Sequence, residues 1–249
     1  MTREGWIRLA VVAALVALLE ALCRGGVIPR TVLLAPSDMA VSLWQILREG
    51  QHNTDIVSTF RNVALSSALS VMLGFALGVV IHALPRLRAT IEPLLASYYA
   101  VPTFMFYPVF IVVFGVNAAA IIAIAVLLSI VAMVTSTLTG LDRIPAVLRK
   151  TARVYRMSFA KRALLIDLPA AAPHLFTGAK LAFAYAFIGV IASEFILSGQ
   201  GVGYAIAYAY NNFDNRTMYG LMLLVILAAV TANTALDVID RRLQTRLRR

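Results

Sequence analysis

The chain has 249 residues, 61% of them hydrophobic and 14% charged, and carries a net charge of +10; its mean hydropathy is +0.84. A water-soluble domain of this length cannot hide so much apolar surface, so the composition excludes that class and defines an integral membrane protein. The positive charge falls in short clusters between apolar runs, with no aromatic-rich basic face, which marks membrane topology and excludes a nucleic-acid footprint.

Six apolar segments have the length of a bilayer-crossing helix, over approximately 6–23, 58–82, 94–114, 117–140, 174–197 and 216–239. They form a single transmembrane domain over residues 1–249. The first begins with Arg3 and Arg8, as a signal peptide would, but Leu22 is too bulky for a cleavage or lipidation site before Cys23. It is read as an uncleaved span, with Glu20 near its outer end beside Arg24. Cys23 has no second cysteine to pair with and is expected to pack near the helix end. Ser37 is then expected to cap a short helix at the outer interface, with Met39, Leu43, Trp44, Ile46 and Leu47 on one face.

The second span carries Ser66, Ser70, Gly74 and Gly78 at four-residue spacing. Small residues in a stripe let helices approach closely in lipid, so this reads as a packing seam within the bundle or between two copies. The third span opens with Val101 to Pro108, and Pro102 and Pro108 break its backbone hydrogen bonding. That predicts a kinked helix, either lining a pathway or kinked for structure alone. Gly115-Val116-Asn117 turns tightly into the fourth span and makes a transmembrane hairpin of the two.

A loop over 141–173 leads to the fifth span. Lys180 lies just inside that span and can snorkel to the basic side. Glu194 lies late in it, and an intramembrane carboxylate faces protein or water. It lines the pathway, pairs with Arg61 or Arg216, or holds structure. Gly199-Gln200-Gly201-Val202-Gly203 lacks the spacing and the preceding strand of a dinucleotide site, and reads as a turn into a short re-entrant or interfacial helix. In the sixth span, Asp237 and Asp240 stand near Arg241 and Arg242 as interfacial pairs.

Sixteen of the 22 Lys and Arg residues fall on one side of this scheme; Arg24, Arg30, Arg48, Arg61 and Arg216 fall on the other. By the positive-inside rule, both termini and the 141–173 loop are cytosolic. No GxxxxGK[ST], HExxH or GxSxG is present, and His52, His82 and His174 are scattered. The residues therefore offer no catalytic set, no metal set and no cofactor site. A stand-alone channel or secondary transporter would call for paired intramembrane charges or matched broken helices in two halves, and neither is visible.

Within the loop, Arg149 to Pro173 is a basic, amphipathic island. Its apolar residues include Ala152, Val154, Tyr155, Met157 and Phe159, and seven basic residues follow from Arg143 on. Such a segment can lie on anionic lipid or place an apolar knob in a partner's groove. Ser158 can cap a second short helix over Phe159 to Ile166, which Pro169 should stop. Two short helices with a bend between them make an elbow, which suits docking better than a flat anchor.

Here the sequence resembles the permeases of ABC importers. Ile166-Asp167-Leu168-Pro169 fits the I-x-L-P end of their EAA loop. Thirteen residues before Pro169, Arg156 stands where that motif usually has Gly, and Lys150-Thr151-Ala152 stands for Glu-Ala-Ala. Leu34-Ala35-Pro36-Ser37, Arg61 with Gly74 to Gly78, Pro102 and Pro108 with Phe114-Gly115, Gly178-Ala179-Lys180-Leu181, and Gly201-Val202-Gly203-Tyr204 resemble further family patterns in order, over roughly 30–243. The chain is identified as similar to the nitrate/sulfonate/taurine-type group.

The resemblance implies an all-α membrane protein of the type I ABC importer permease fold, with six transmembrane helices and a cytosolic coupling-helix elbow. It implies a permease without its own ATPase site, importing a small polar or anionic organic solute, sulfonate-, nitrate- or taurine-like or pyrimidine-precursor-like, across the bacterial inner membrane. The implied partners are an ABC ATPase dimer, a periplasmic or lipid-anchored solute-binding protein and a second permease copy, most simply an identical one. Coupling would fall to Lys150, Thr151, Ala152, Arg153, Val154, Tyr155, Arg156, Met157 and Ser158, with Ile166, Leu168 and Pro169 holding the elbow.

Overall fold

The structure is a computed structural model and describes residues 3–29 and 31–247; Arg30 and the last two arginines of the basic count lie outside them. Eleven α-helices are present among the described residues: α1 (Arg3–Arg24), α2 (Pro36–Glu49), α3 (Asn53–Ala83), α4 (Pro85–Ser97), α5 (Tyr107–Phe114), α6 (Ala118–Asp142), α7 (Ala146–Val154), α8 (Phe159–Arg162), α9 (Leu168–Leu197), α10 (Val202–Asn211) and α11 (Asn215–Leu247). Five uninterrupted helical stretches among the described residues are long and apolar enough to cross a membrane, and there are six if a bent pair of helices counts as one span.

The bundle is built around α6, which packs against α3 and α9, themselves in contact. Small residues bring the three backbones together. A Cβ on Gly74 would stand 2.7 Å from Met133 Cβ, and one on Gly78 would stand 2.6 Å from Thr137 Cβ. From α9, Gly189 lies so close to α6 that a Cβ would meet Ala125 Cα at 2.8 Å. The stripe Ser66, Ser70, Gly74 and Gly78 is wholly buried within this one chain. The Ser70 and Ser129 hydroxyls meet at 2.5 Å across the α3–α6 contact, and Ser129 also donates to the Ala125 carbonyl.

Several sequence expectations are corrected. The third span is not one kinked helix starting at 94. The chain there forms two helical limbs, Pro85–Ala100 and Thr103–Phe114, that meet at 94°. The cause is local: Val101, preceding Pro102, is forced into extended backbone, with φ −83° and ψ 120°. Pro108 breaks nothing, because it sits in the first turn of α5, where a missing N–H goes unnoticed. The Tyr98 hydroxyl ties the break to α6 by donating to the Leu127 carbonyl at 2.6 Å, and Tyr99 stacks on Tyr185 of α9. The turn at Gly115 forms as read, with Asn117 capping α6 through the Ala119 N–H at 2.8 Å.

Ser37 does not cap α2. Ala35 holds that position and Pro36 opens the helix. Ser37 instead donates its N–H and its hydroxyl to Glu20 of α1, at 3.0 and 2.6 Å, so the carboxylate caps α2 from another helix. Of the face expected to be apolar, Leu43 and Ile46 are buried against Gly220 of α11, whereas Trp44 is exposed. Lys180 does not snorkel free; it pairs with Asp237 and, at 3.7 Å, with Asp240. The side chains of Arg241 and Arg242 are outside the described ones.

Pro169 does not stop a helix. From Phe159 to Ile196 the chain is one helical stretch of 38 residues. A π-turn over Ala163–Asp167 precedes the proline, and the Leu168 N–H reaches back to the Ala163 carbonyl. The wider turn opens the backbone where the proline ring would otherwise strike the preceding carbonyl, so the helix passes through Pro169.

Candidate functional site

Two constellations stand at opposite ends of the 38-residue helix. The first is the elbow at the basic end. Arg149 fastens α7 to the bundle, its Nη2 donating to the Leu141 carbonyl at 2.7 Å near the C-terminus of α6, where a cation also suits the helix dipole. Ala152 turns inward and is buried.

The end of α7 is a Schellman motif. The Arg156 N–H bonds the Arg153 carbonyl and the Met157 N–H bonds the Ala152 carbonyl, each at 3.0 Å. That motif requires a left-handed residue between the two, and Arg156 takes it with φ 46°. The turn for which glycine is usual is thus kept with an arginine, at a conformational cost of about 1–2 kcal/mol. Ser158 then caps α8 through the Lys161 N–H at 3.4 Å, as its sequence position indicated.

The bend leaves Val154, Tyr155 and Phe159 standing out, 79%, 76% and 82% exposed. Lys150, Arg153, Arg156 and Lys161 are exposed around them, and no acidic residue occurs from Arg143 to Ile166. Thr151, Tyr155, Arg156, Met157, Ser158, Lys161, Leu165 and Ile166 line a recess of about 700 Å³ on the inner side of the bend. Leu168 and Pro169 lie beyond the π-turn, at the start of α9, so they belong to the stem. Arg162 and Asp167 pair at 3.1 Å along that stem.

The second constellation surrounds Glu194, which is fully buried. Its carboxylate accepts from Thr59 Oγ1 at 2.6 Å, Asn62 Nδ2 at 3.3 Å and the Gly203 N–H at 3.2 Å. The Thr59 hydroxyl also accepts from the Val202 N–H, and Asp55 accepts from the Gly201 N–H, both at 2.8 Å. Side chains of α3 and α9 thereby satisfy the first backbone donors of α10, which begins as the glycine-rich turn had suggested. Neither Arg61 nor Arg216 is among the partners of Glu194. Sequence reading missed Asp55, Thr59 and Asn62, although their spacing of four and three residues places them on one helical face.

A helical membrane bundle bearing a projecting, basic elbow on the stem of one span is the architecture of a type I ABC importer permease. The inward-facing methionine ABC transporter MetNI contains a chain that superposes with a TM-score of 0.67 over 80% of this chain and 96% of its own, at 17% identity. The chain belongs to the family described as the binding-protein-dependent transport system inner membrane component, which matches residues 70–249. It is 25% identical to the putative aliphatic sulfonates transport permease SsuC of Bacillus subtilis, over 97% of this chain and 88% of the relative. It is 26% identical to the nitrate import permease NrtB of Leptolyngbya laminosa, over 75% of this chain and 67% of the relative.

Proposed function

We propose that this permease carries a small anionic solute inward, working with an ATPase on separate chains, a solute-binding protein outside and a second copy of itself. Both termini and the elbow then face the cytosol. Two relatives named for nitrate and for aliphatic sulfonates, both anions, support the class of cargo. The observation that carries the energetic reading is the elbow itself: Val154, Tyr155 and Phe159 exposed at the tip of a rigid stem, ringed by cations.

In this reading an ATPase grips the tip and moves it. Because Phe159–Ile196 is one helix, displacement of the elbow reaches Glu194 and the α10 turn at the far face without an intervening joint. The breaks at Pro102 and in the Gly199 to Gly203 turn are where the two faces can reshape, and Pro102, Pro108 and Glu194 border the pathway in this scheme.

The test is a paired charge reversal, Arg153→Glu with Arg156→Glu, in the transporter assembled with its ATPase. Expected is normal membrane insertion with solute uptake uncoupled from ATP hydrolysis. Uptake at the unmodified rate would refute the docking role.

A further inference from the structure

The far end of α3 presents two adjoining faces with different fates. Asp55, Thr59 and Asn62 turn to α9 and α10 and are engaged there. Asn53, Thr54, Val57, Ser58 and Arg61 line the neighbouring face, which joins Gln200 of the turn around a recess of about 360 Å³. Ser58 is only 6% exposed, yet its hydroxyl has no hydrogen-bond partner. Arg61 is exposed and takes part in no ion pair among the described residues.

A guanidinium at the margin of an apolar span calls for a counter-charge or water. The carboxylates near it are committed elsewhere. Asp55 holds the Gly201 N–H and His52, and Glu194 holds Thr59, Asn62 and the Gly203 N–H. What remains is the exposed Arg61 guanidinium and the Gln200 side chain around the recess, with the Ser58 hydroxyl buried in its wall and without a partner. A guanidinium fork matches the paired oxygens of an oxyanion better than it matches a halide or a neutral solute.

We propose that this recess is a transit site for a small oxyanion, with Arg61 supplying the charge and Ser58 a neutral donor. The proposal rests on the reading of the cargo as anionic. The carboxylates of Asp55 and Glu194 on the adjoining face temper the affinity, which suits a site from which the ion must leave again.

Cys23 is the single cysteine, so Cys23→Ser provides a thiol-free background. In it, Thr54→Cys sets a thiol at the recess. Two methanethiosulfonate reagents, one bearing a sulfonate and one a trimethylammonium, are compared on the transporter assembled with its ATPase in nanodiscs. The sulfonate reagent is expected to react preferentially, excess nitrate to slow it, and Arg61→Gln to lower the sulfonate-to-ammonium rate ratio about tenfold. A ratio indifferent to Arg61→Gln, the absence of nitrate protection, or no labelling by either reagent overturns the site.

Uptake of nitrate and of ethanesulfonate separates the two layers of the argument. Arg61→Gln should lower uptake at limiting solute about tenfold, with Arg61→Lys recovering part of it. If the unmodified transporter carries neither anion while labelling behaves as expected, the cargo reading fails and the site stands. If it carries one of them and Arg61→Gln carries it equally well, the site fails and the cargo reading stands.

Discussion

At Arg156 a side chain occupies backbone that glycine takes without penalty. The position is fixed by the two hydrogen bonds that close α7, so the left-handed conformation is imposed whatever residue stands there. Arg156→Gly should therefore stabilise the folded chain by about 1 kcal/mol, read as a higher unfolding temperature of the detergent-solubilised protein. A β-branched replacement should act in the opposite direction. That an arginine is retained despite this strain fits a role for its charge beside the recess of the elbow. The resemblance had located the turn by marking this residue as standing for a glycine. The neighbouring π-turn gave no such notice, since it is a backbone register that no residue type or spacing in Ala163–Asp167 announces. The same contrast holds for Glu194. Its burial could be argued from one residue in an apolar run, but its side-chain partners come from 132 and 135 positions away and depend on how α3 and α9 pack.

Among the helices, α6 is the element on which the bundle depends. Its partners approach so closely that side chains larger than hydrogen have no room at Gly74, Gly78, Gly178 and Gly189. The periodic stripe on α3 was readable as a seam, and the structure supplies the surface opposite it: Ser129, Met133 and Thr137. The seam lies within one chain. Gly78→Leu should force α3 from α6 against both the Thr137 side chain and the Val134 carbonyl. Overpacking of this kind costs about 1–3 kcal/mol or more where backbone must yield. The expected outcome is a lowered unfolding temperature and a smaller yield of membrane-inserted protein. Ala76→Leu, at an exposed position outside the seam, is the comparison that should be tolerated far better.

Over the whole molecule, the long helix divides the chain into parts that move together and parts that do not. With 38 residues at 1.5 Å each it spans about 57 Å, more than the thickness of a bilayer with its headgroups. Spin labels at Leu164 and Ile196, both exposed on this helix, should keep one separation with and without nucleotide in the assembled transporter. A label on Met105, beyond the break at Pro102, should change its distance to Ile196 over the same cycle. A helix that bends near Pro169 or Pro173 would shorten the first distance and remove the rigid link from the elbow to the far face.

The π-turn gives that helix one more property. Relative to an α-helix it holds an additional residue in its turn, and one residue of α-helix corresponds to about 100° about the axis. The azimuth at which Tyr155 and Phe159 leave the stem is thus set by a single residue of register between Ala163 and Asp167. Rewinding the same residues as ordinary helix, with none lost, would leave every side chain of the elbow chemically intact. It would also swing the whole tip through roughly a quarter of a circle, so that the same cations face a different compass point beneath the membrane.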